Sequence, residues 1–246
     1  KKKRIIKKFK IITALSVFYD LRDPNKFIRE VSEILDKEGI FVLEHADLYS
    51  IIKNNIFDTI CHEHLGYFSS KVIINMIKKN GLKVFNHEFN DINGGSSRYY
   101  IAHKNSKYKV QDSIKKVLNK EDKIGLHSKK TFDNFFKRII RENKKLISLI
   151  AKIKSNNLSI HGYGASTKGN VLLQFCDIGS EQLDYIADRN PFKFNMYTPG
   201  TKIKIISEKE SRFLNPNYYL VLPWHFKNEI LEREKKQIKK GVKFIF

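Results

Sequence analysis

Short apolar runs and amphipathic stretches alternate along the first part of the chain. Residues 11–18 form an apolar run with β-branched residues, which is typical of a buried strand. Asp23 and Pro24 then favour the N-cap and the first position of a helix whose apolar residues recur at helical spacing. After a loop that ends at Gly39, residues 40–43 predict a second buried strand. A strand, a helix and a strand joined by short loops predict a parallel sheet.

The next stretch predicts one more helix and a hairpin. Residues 69–79 are amphipathic, and Gly81 suits the C-cap. Residues 82–89 and 97–103 read as two strands on either side of Asn93-Gly94-Gly95-Ser96, a strong turn signal. An antiparallel hairpin after parallel strands suits the far edge of a nucleotide-type sheet.

Residues 105–157 differ from the flanking segments, because they are polar, rich in lysine and helical in period. They predict one or two bridging helices whose aromatic stripe serves helix packing. From residue 158 the α/β rhythm returns, with strands expected at 159–161, 183–188, 218–222 and 242–246 and helices at 170–176 and 227–240. We therefore expect an α/β protein with three regions, 1–104, 105–157 and 158–246.

The formal net charge of +21 raises the question of a nucleic-acid partner. The lysines are spread along the chain, and neither an aromatic-basic strip nor a recognition helix accompanies them. We expect a solvated basic surface, suited to an anionic small substrate, and no nucleic acid.

Cys61 and Cys176 are too few for a disulfide framework or a four-cysteine zinc site. The sequence has no apolar run of about 18 residues or more, so no transmembrane helix or membrane partner is expected. The basic N-terminus is not followed by an apolar signal-peptide core. A cytoplasmic location is expected, and the oligomeric state cannot be inferred.

The densest titratable cluster is Asp58-Thr59-Ile60-Cys61-His62-Glu63-His64. Histidine is the side chain best able to move protons near neutral pH, and a neighbouring carboxylate can orient an imidazole and raise its basicity. The segment lacks the helical spacing of a zinc protease. We expect an acid-base centre; a metal site of Cys61, His62 and His64 and purely structural histidines stay open as alternatives.

The segment from Gly162 to Gly169 (Gly-Tyr-Gly-Ala-Ser-Thr-Lys-Gly) lies between a predicted strand and a predicted helix. Its glycines allow close approach of a ligand, and backbone N–H groups with the helix dipole favour an anion. Ser166, Thr167 and Lys168 add donors and a positive charge. The segment is neither a P-loop nor a complete dinucleotide fingerprint, so a turn needed only for packing stays open.

Two further strand ends carry polar or aromatic groups. Asp188-Arg189-Asn190-Pro191 follows one strand, where a ribose or base contact is expected in a doubly wound sheet. Pro223-Trp224-His225 follows another. Together with the glycine-rich segment they favour a crevice. Loop capping and a structural tryptophan are the alternatives.

These segments occur in one order over nearly the whole chain. The matching motifs are Asp58-Thr59-Ile60-Cys61-His62-Glu63-His64-Leu65, Tyr67-Phe68-Ser69, residues 162–170, Ala187-Asp188-Arg189-Asn190-Pro191, Tyr197-Thr198-Pro199-Gly200 and Leu222-Pro223-Trp224-His225-Phe226. The chain thereby resembles the S-adenosylmethionine-dependent C-methyltransferases that act on nucleotide-linked keto-deoxysugars.

The resemblance implies the C-terminal part of a Rossmann-like methyltransferase sheet (1–104), a helical linker (105–157) and a Rossmann-like substrate-binding domain (158–246). It also implies that His64 removes the proton beside a 4-keto group, helped by Glu63, with His62 and Cys61 in the same centre. The enolate then takes the methyl group of S-adenosylmethionine.

The resemblance further implies binding residues. Four strand-end residues would face the cofactor: Tyr19, Asp20, Glu44 and His45. The nucleotide-diphosphate sugar would meet Arg98, Tyr163, Gly164, Ala165, Ser166, Thr167, Lys168, Asn170, Asp188, Arg189, Asn190, Trp224 and His225.

The sequence departs from the family pattern in three respects. The family's N-terminal zinc-binding domain and its acidic, glycine-rich cofactor loop are absent, and Cys61 stands where many members have tyrosine. We therefore expect a fragment in which zinc has no site and the grip on S-adenosylmethionine is incomplete. A remnant that binds a nucleotide sugar without methylating it is the alternative. An NAD-dependent sugar enzyme is a third hypothesis, which the incomplete dinucleotide fingerprint disfavours.

Overall fold

The protein is described from a computed structural model, which defines residues 8–246. The chain divides into two compact units. Unit 1 holds the residues up to Ile56 together with His62–Phe136, and unit 2 holds Phe57–Cys61 and Lys137–Phe246. The segment 105–157, expected as a linker, therefore contributes to both units. Within residues 8–246, none of the helices has the length and apolar character needed to cross a bilayer.

Unit 1 is built on a four-stranded mixed sheet. Its strands are β1 (Phe9–Leu15), β2 (Leu35–Ala46), β3 (Leu82–Asn90) and β4 (Ser96–His103), in the order β1-β2-β4-β3. β1 and β2 are parallel, whereas β4 runs antiparallel to both of its neighbours. The predicted parallel pair and the predicted edge hairpin are both confirmed.

Two of the helices of unit 1, those that follow Asp23 and Ser69, begin where the sequence predicts. The helices of this unit are α1 (Pro24–Ile34), α2 (Leu48–Asn54), α3 (Ser70–Lys79), α4 (Asp112–Lys123) and the first part of α5 (Lys129–Ser155). The Asp23 carboxylate accepts the N–H of Lys26 at 2.9 Å, and the Ser69 hydroxyl accepts the N–H of Val72 at 3.3 Å. Both N-caps satisfy donors that the first helical turn leaves free. The short helix α2 was not predicted.

The prediction of a loop before residue 40 is wrong, because β2 begins at Leu35, directly after α1. Gly39 lies inside this strand, at a break in its register with β1. A Cβ at this position would lie 2.8 Å from the carbonyl oxygen of Phe9, so the close strand pairing requires a glycine there.

Unit 2 is built on a five-stranded, fully parallel sheet. Its strands are β5 (Ile160–Tyr163), β6 (Ile186–Asp188), β7 (Ile205–Ser207), β8 (Tyr218–Val221) and β9 (Lys243–Ile245), in the order β7-β6-β5-β8-β9. Its helices besides α5 are α6 (Thr167–Phe175), α7 (Glu208–Phe213), α8 (Lys227–Arg233) and α9 (Lys235–Lys239). The predicted Rossmann-like architecture is confirmed, and the strand order reverses between β5 and β8, which makes that point the topological switch.

Helices cover both faces of this sheet. Ile160, Leu173 and Leu220 belong to a core with residues of α5, and Tyr163 and Ile230 belong to a second core with residues of α8. The helix predicted at 227–240 is two helices that meet at Glu234, a buried carboxylate hydrogen-bonded by Arg212. β7 and α7 were not predicted.

Candidate functional site

His64 lies at the carboxyl end of β1. Tyr19 follows that strand in a short 3-10 turn, and its ring is 4.3 Å from the His64 ring, centroid to centroid. The carbonyl oxygen of Tyr19 accepts the backbone N–H groups of Leu65 at 2.8 Å and of Gly66 at 3.1 Å. His64 is half-buried, so its imidazole is held by an aromatic neighbour yet remains within reach of a ligand.

The other residues of the predicted acid-base centre lie in different surroundings. The His62 and Glu63 side chains are 88% and 52% exposed, and His62 Nε2 is 4.0 Å from Glu63 Oε1, the limit of an ion pair. Cys61 belongs to unit 2, whereas His62, Glu63 and His64 belong to unit 1. Within residues 8–246 no group of three or more His, Cys, Asp and Glu side chains is arranged to hold a metal ion. The metal alternative therefore gains no support from the geometry.

The predicted cofactor residues divide into an accessible and a buried pair. Tyr19 is half-buried and Asp20 is exposed. Glu44 and His45 are buried at the carboxyl end of β2. The His45 ring stacks on Tyr99 at 5.5 Å, and burial lowers its pKa to about 4, so it is neutral at pH 7. A cofactor contact from Glu44 or His45 would require their packing to open.

Arg98, predicted to meet the substrate, is an ion-pair partner in unit 1. Its Nε and one Nη each lie 2.7 Å from Oε2 of Glu44. Asn90 Nδ2 donates to the same oxygen at 2.8 Å. The pair sits directly across the β2–β4 ladder, so Arg98 compensates a buried carboxylate in this structure.

The glycine-rich segment of unit 2 is shorter than predicted. Gly162 and Tyr163 belong to β5, and Thr167, Lys168, Gly169 and Asn170 belong to α6. The connecting turn is Gly164-Ala165-Ser166, in which the Ser166 hydroxyl caps α6 by accepting the N–H of Gly169 at 3.0 Å. Gly164 has φ +85°, and a Cβ there would lie 2.7 Å from Pro223, so the turn requires glycine.

Asp188 at the end of β6 fixes this turn. Its Oδ2 accepts the N–H of Ala165 at 2.7 Å, and its Oδ1 accepts the N–H of Asn190 at 2.7 Å. The Asn190 side chain in turn accepts the N–H of Phe192 at 3.1 Å. Loop capping, the alternative for this motif, is therefore present, and it places Arg189 at the sheet edge as an exposed cation.

A cavity of about 290 Å³ opens at the carboxyl ends of β5, β6 and β8. It is lined by Tyr163, Gly164, Asp188, Arg189, Glu208, Pro223, Phe226, Glu229, Ile230 and Arg233. The Tyr163 hydroxyl lies 2.8 Å from a carboxylate oxygen of Glu208 and of Glu234 and accepts from Arg233 at 2.9 Å. This network fixes the floor of the cavity, whereas Phe226 is 47% exposed at its wall.

The sequence did not indicate that Glu208, Glu229 and Arg233 line this cavity, and Phe226 belonged to a motif without an assigned role. Glu208 follows β7, which was not predicted. Glu229 and Arg233 are four residues apart on α8, a spacing that places them on one helix face. That spacing is the signal that could have revealed this wall.

Trp224 and His225, predicted to bind substrate, follow β8. The indole Nε1 of Trp224 donates to Oδ2 of Asp58 at 2.8 Å, and the ring lines an apolar cavity on the α5 and α6 side of the sheet. Burial, with the nearby charge of Lys168, lowers the pKa of His225 to about 4. Burial also lowers the pKa of Lys168, while Asp58 opposes that shift.

The fold and these strand-end groups define an α/β protein whose parallel, Rossmann-like sheet has a cavity at its switch point. The chain belongs to the family described as C-methyltransferase C-terminal domain, which matches residues 91–246. The resemblance to C-methyltransferases that the motifs predict is thereby confirmed.

The chain is also similar to C-methyltransferase NovU of Streptomyces niveus. The two are 30% identical over 236 residues, which cover 96% of this chain and 56% of that protein. The chain therefore spans about half the length of the curated relative it matches.

A weaker likeness exists to the crystal structure of magnesium protoporphyrin IX methyltransferase (ChlM) from Synechocystis PCC 6803 with bound SAH. It has 12% identity and a TM-score of 0.33, and it covers 41% of this chain and 47% of that chain. A likeness of this size carries no argument about this protein.

Proposed function

We propose that this chain acts in the C-methylation of a nucleotide-linked 4-keto-deoxysugar, with His64 as the base that forms the enolate. The observation that carries the proposal is the placement of His64 against Tyr19 at the carboxyl end of a parallel strand, where α/β sheets bind ligands. Membership in a C-methyltransferase family supports the reaction class.

The proton transfer follows from ordinary carbonyl chemistry. A keto group acidifies the hydrogen on the neighbouring carbon; the C–H bond breaks, its electron pair enters the enolate, and an imidazole nitrogen of His64 takes the proton. The two N–H contacts to the Tyr19 carbonyl hold the loop, so the imidazole is positioned before the substrate arrives. Glu63 is the neighbouring carboxylate proposed to favour the imidazolium.

S-adenosylmethionine is the proposed methyl donor. When bound, it supplies an electrophilic methyl group for the enolate carbon. Tyr19 and Asp20 fit a contact with it because they are accessible at the strand end, whereas Glu44 and His45 do not fit without rearrangement. The chain's own contribution is therefore the base and its aromatic support.

The nucleotide part of the substrate is proposed to bind unit 2. A cavity of about 290 Å³ is at the lower end of the roughly 300–1,000 Å³ found for small-molecule sites, which suits a nucleoside better than a dinucleotide. Three carboxylates and two guanidinium groups line it, a set that suits ribose hydroxyls and a base rather than phosphates. Lys168 and the N-terminal turn of α6 suit the diphosphate.

Solvent exchange tests the base without a methyl donor. In D2O with a dTDP-linked 4-keto-6-deoxysugar, we expect deuterium to replace the hydrogen on the carbon beside the keto group. Mass spectrometry detects this exchange. His64→Ala should slow this exchange by about 10²- to 10⁴-fold. His127→Gln, a change at a histidine away from the proposed centre, is the matched control and should leave it unchanged.

Exchange at the wild-type rate in His64→Ala would remove His64 as the base. The remnant hypothesis predicts a different pattern, namely saturable binding of the nucleotide sugar with no exchange in any variant. With exchange established, addition of S-adenosylmethionine should give a product carrying one additional methyl group.

A further inference from the structure

We propose that Asp58 is a positioning residue, which holds Lys168 charged and Trp224 in place at the ligand end of unit 2. The inference rests on the proposed function only where Lys168 is taken to meet the substrate diphosphate. Asp58 lies in the motif that includes His64, yet it is a residue of unit 2 and takes no part in the proposed proton transfer.

The segment that carries Asp58 is anchored within unit 2. Residues Phe57–Thr59 form a 3-10 turn that packs against α6, and the Phe57 ring lies 5.0 Å from the Phe175 ring. Asp58 and Thr59 are 3% and 1% exposed. Burial of this turn restricts the directions that the Asp58 carboxylate can take.

The Asp58 carboxylate joins two strand ends. Its Oδ2 accepts the indole N–H of Trp224 at 2.8 Å, directly after β8. The turn that carries Asp58 also packs against α6, whose first turn holds Lys168 after β5, and the two opposite charges attract. β5 and β8 are the strands between which the sheet order reverses, so Asp58 connects the two sides of the switch point.

Charge explains why a carboxylate is needed there. Burial raises the pKa of Asp58 and lowers the pKa of Lys168, and the attraction between the two groups opposes both shifts. Cys61, from the same segment as Asp58, and His225, after β8, also act on Lys168. The lowered pKa of His225 makes it neutral near pH 7, and the attraction of Asp58 for Lys168 is larger than that of Cys61.

This arrangement predicts a pH-dependent effect of Asp58→Asn on anion binding. While Lys168 stays protonated, removal of the Asp58 charge takes away a repulsion, so pyrophosphate should bind the variant as tightly as wild type or more tightly. Without the Asp58 charge, Lys168 should lose its proton at a lower pH than in wild type. Above that pH, the affinity of the variant for pyrophosphate should fall below that of wild type. A purely structural role would lower affinity at every pH.

The single tryptophan of the chain makes the contact observable. Emission of Trp224 should change as Asp58 titrates, with a midpoint above the ordinary 3.8 of an aspartate. Asp58→Asn should abolish the change, and Lys168→Met should move the midpoint to higher pH. Lys239→Met, a substitution at an exposed position of α9, is the control and should leave the midpoint in place.

An emission midpoint that is the same in wild type and Lys168→Met would overturn the proposed coupling. The emission titration needs no substrate, so it tests the coupling of Asp58 to Lys168 separately from the proposed function. In the ligand arm, Lys168→Met should weaken dTDP and pyrophosphate binding by about 10- to 100-fold, as expected for loss of one charged hydrogen bond. Wild-type protein that binds neither probe would overturn the diphosphate assignment.

Discussion

The carboxyl end of β2 in unit 1 and those of β5, β6 and β8 in unit 2 have opposite surroundings. In unit 1, Glu44 and His45 at the end of β2 are buried and held by Arg98, Asn90 and Tyr99. In unit 2, the ends of β5, β6 and β8 line an open cavity. Strand-end residues therefore serve packing at β2 of unit 1 and line a cavity in unit 2.

Strand topology explains this difference. The antiparallel strand β4 lies beside β2, and its register brings Arg98 opposite Glu44. In unit 2 all five strands of the sheet are parallel and are joined by crossover connections. No antiparallel strand of this sheet therefore pairs with the residues at its carboxyl edge. A strand-end residue is consequently a strong candidate for binding only where no antiparallel neighbour pairs with it.

Two arginines offer the sharpest test of this contrast. Arg98→Met leaves the buried Glu44 carboxylate without its cation and should lower the free energy of unfolding by about 3 kcal/mol. Arg189→Met changes an exposed cation and should alter stability by no more than about 0.5 kcal/mol. Urea unfolding measures both. Equal costs would show that Arg98 is not structurally engaged.

The same pair of variants separates binding from stability. We expect Arg189→Met to weaken dTDP binding in calorimetry, because Arg189 lines the cavity of unit 2. Arg98→Met should leave that binding unchanged under conditions where the variant is folded. Weaker binding in Arg98→Met alone would support its predicted role in contacting the substrate.

Two glycines test the tight turn at the cavity. Gly164 and Gly241 have φ of +85° and +92°, so alanine strains the backbone by about 1–2 kcal/mol at either position. A Cβ on Gly164 also meets Pro223 at 2.7 Å, whereas one on Gly241 meets nothing within 4 Å. Gly164→Ala should therefore cost about 1 kcal/mol more than Gly241→Ala in urea unfolding.

The smallest expected difference is in the pH dependence of stability. Burial lowers the pKa of His45 and His87 in unit 1 and of His161 and His225 in unit 2 to about 4. Each then contributes stability that is present above the ordinary 6.5 and is lost as the pH falls through about 4. Both units should therefore become more stable as the pH rises from about 4 to 6.5.

Each unit also holds a buried carboxylate with the opposite effect, Asp47 in unit 1 and Asp58 in unit 2. Burial raises the pKa of Asp47 to about 6, so its contribution is present below 3.8 and is lost as the pH rises through about 6. Asp47→Asn should steepen the pH dependence of unit 1, seen by circular dichroism. Trp224 emission, which reports unit 2, should not change in this variant, and a matching change there would contradict the assignment.

Local signals in the sequence predicted much of the fold. Asp23 and Ser69 mark helix starts because caps depend on neighbouring residues. The ends of β6 and β8 were predicted because each apolar run stops at polar residues, whereas β7 was missed. Long-range pairs could not be predicted, since Glu44 meets Arg98 only through the register of β4, and 166 residues separate Asp58 from Trp224.

Deuterium exchange measured against substrate concentration tests most directly whether His64 supplies the chemistry while unit 2 supplies the nucleotide site. We predict that His64→Ala lowers the saturated exchange rate by about 10²- to 10⁴-fold at an unchanged half-saturating concentration. Phe226→Ala should raise that concentration and leave the saturated rate as in wild type. Wild-type exchange in His64→Ala, or a loss of saturated rate in Phe226→Ala, would contradict this division of roles.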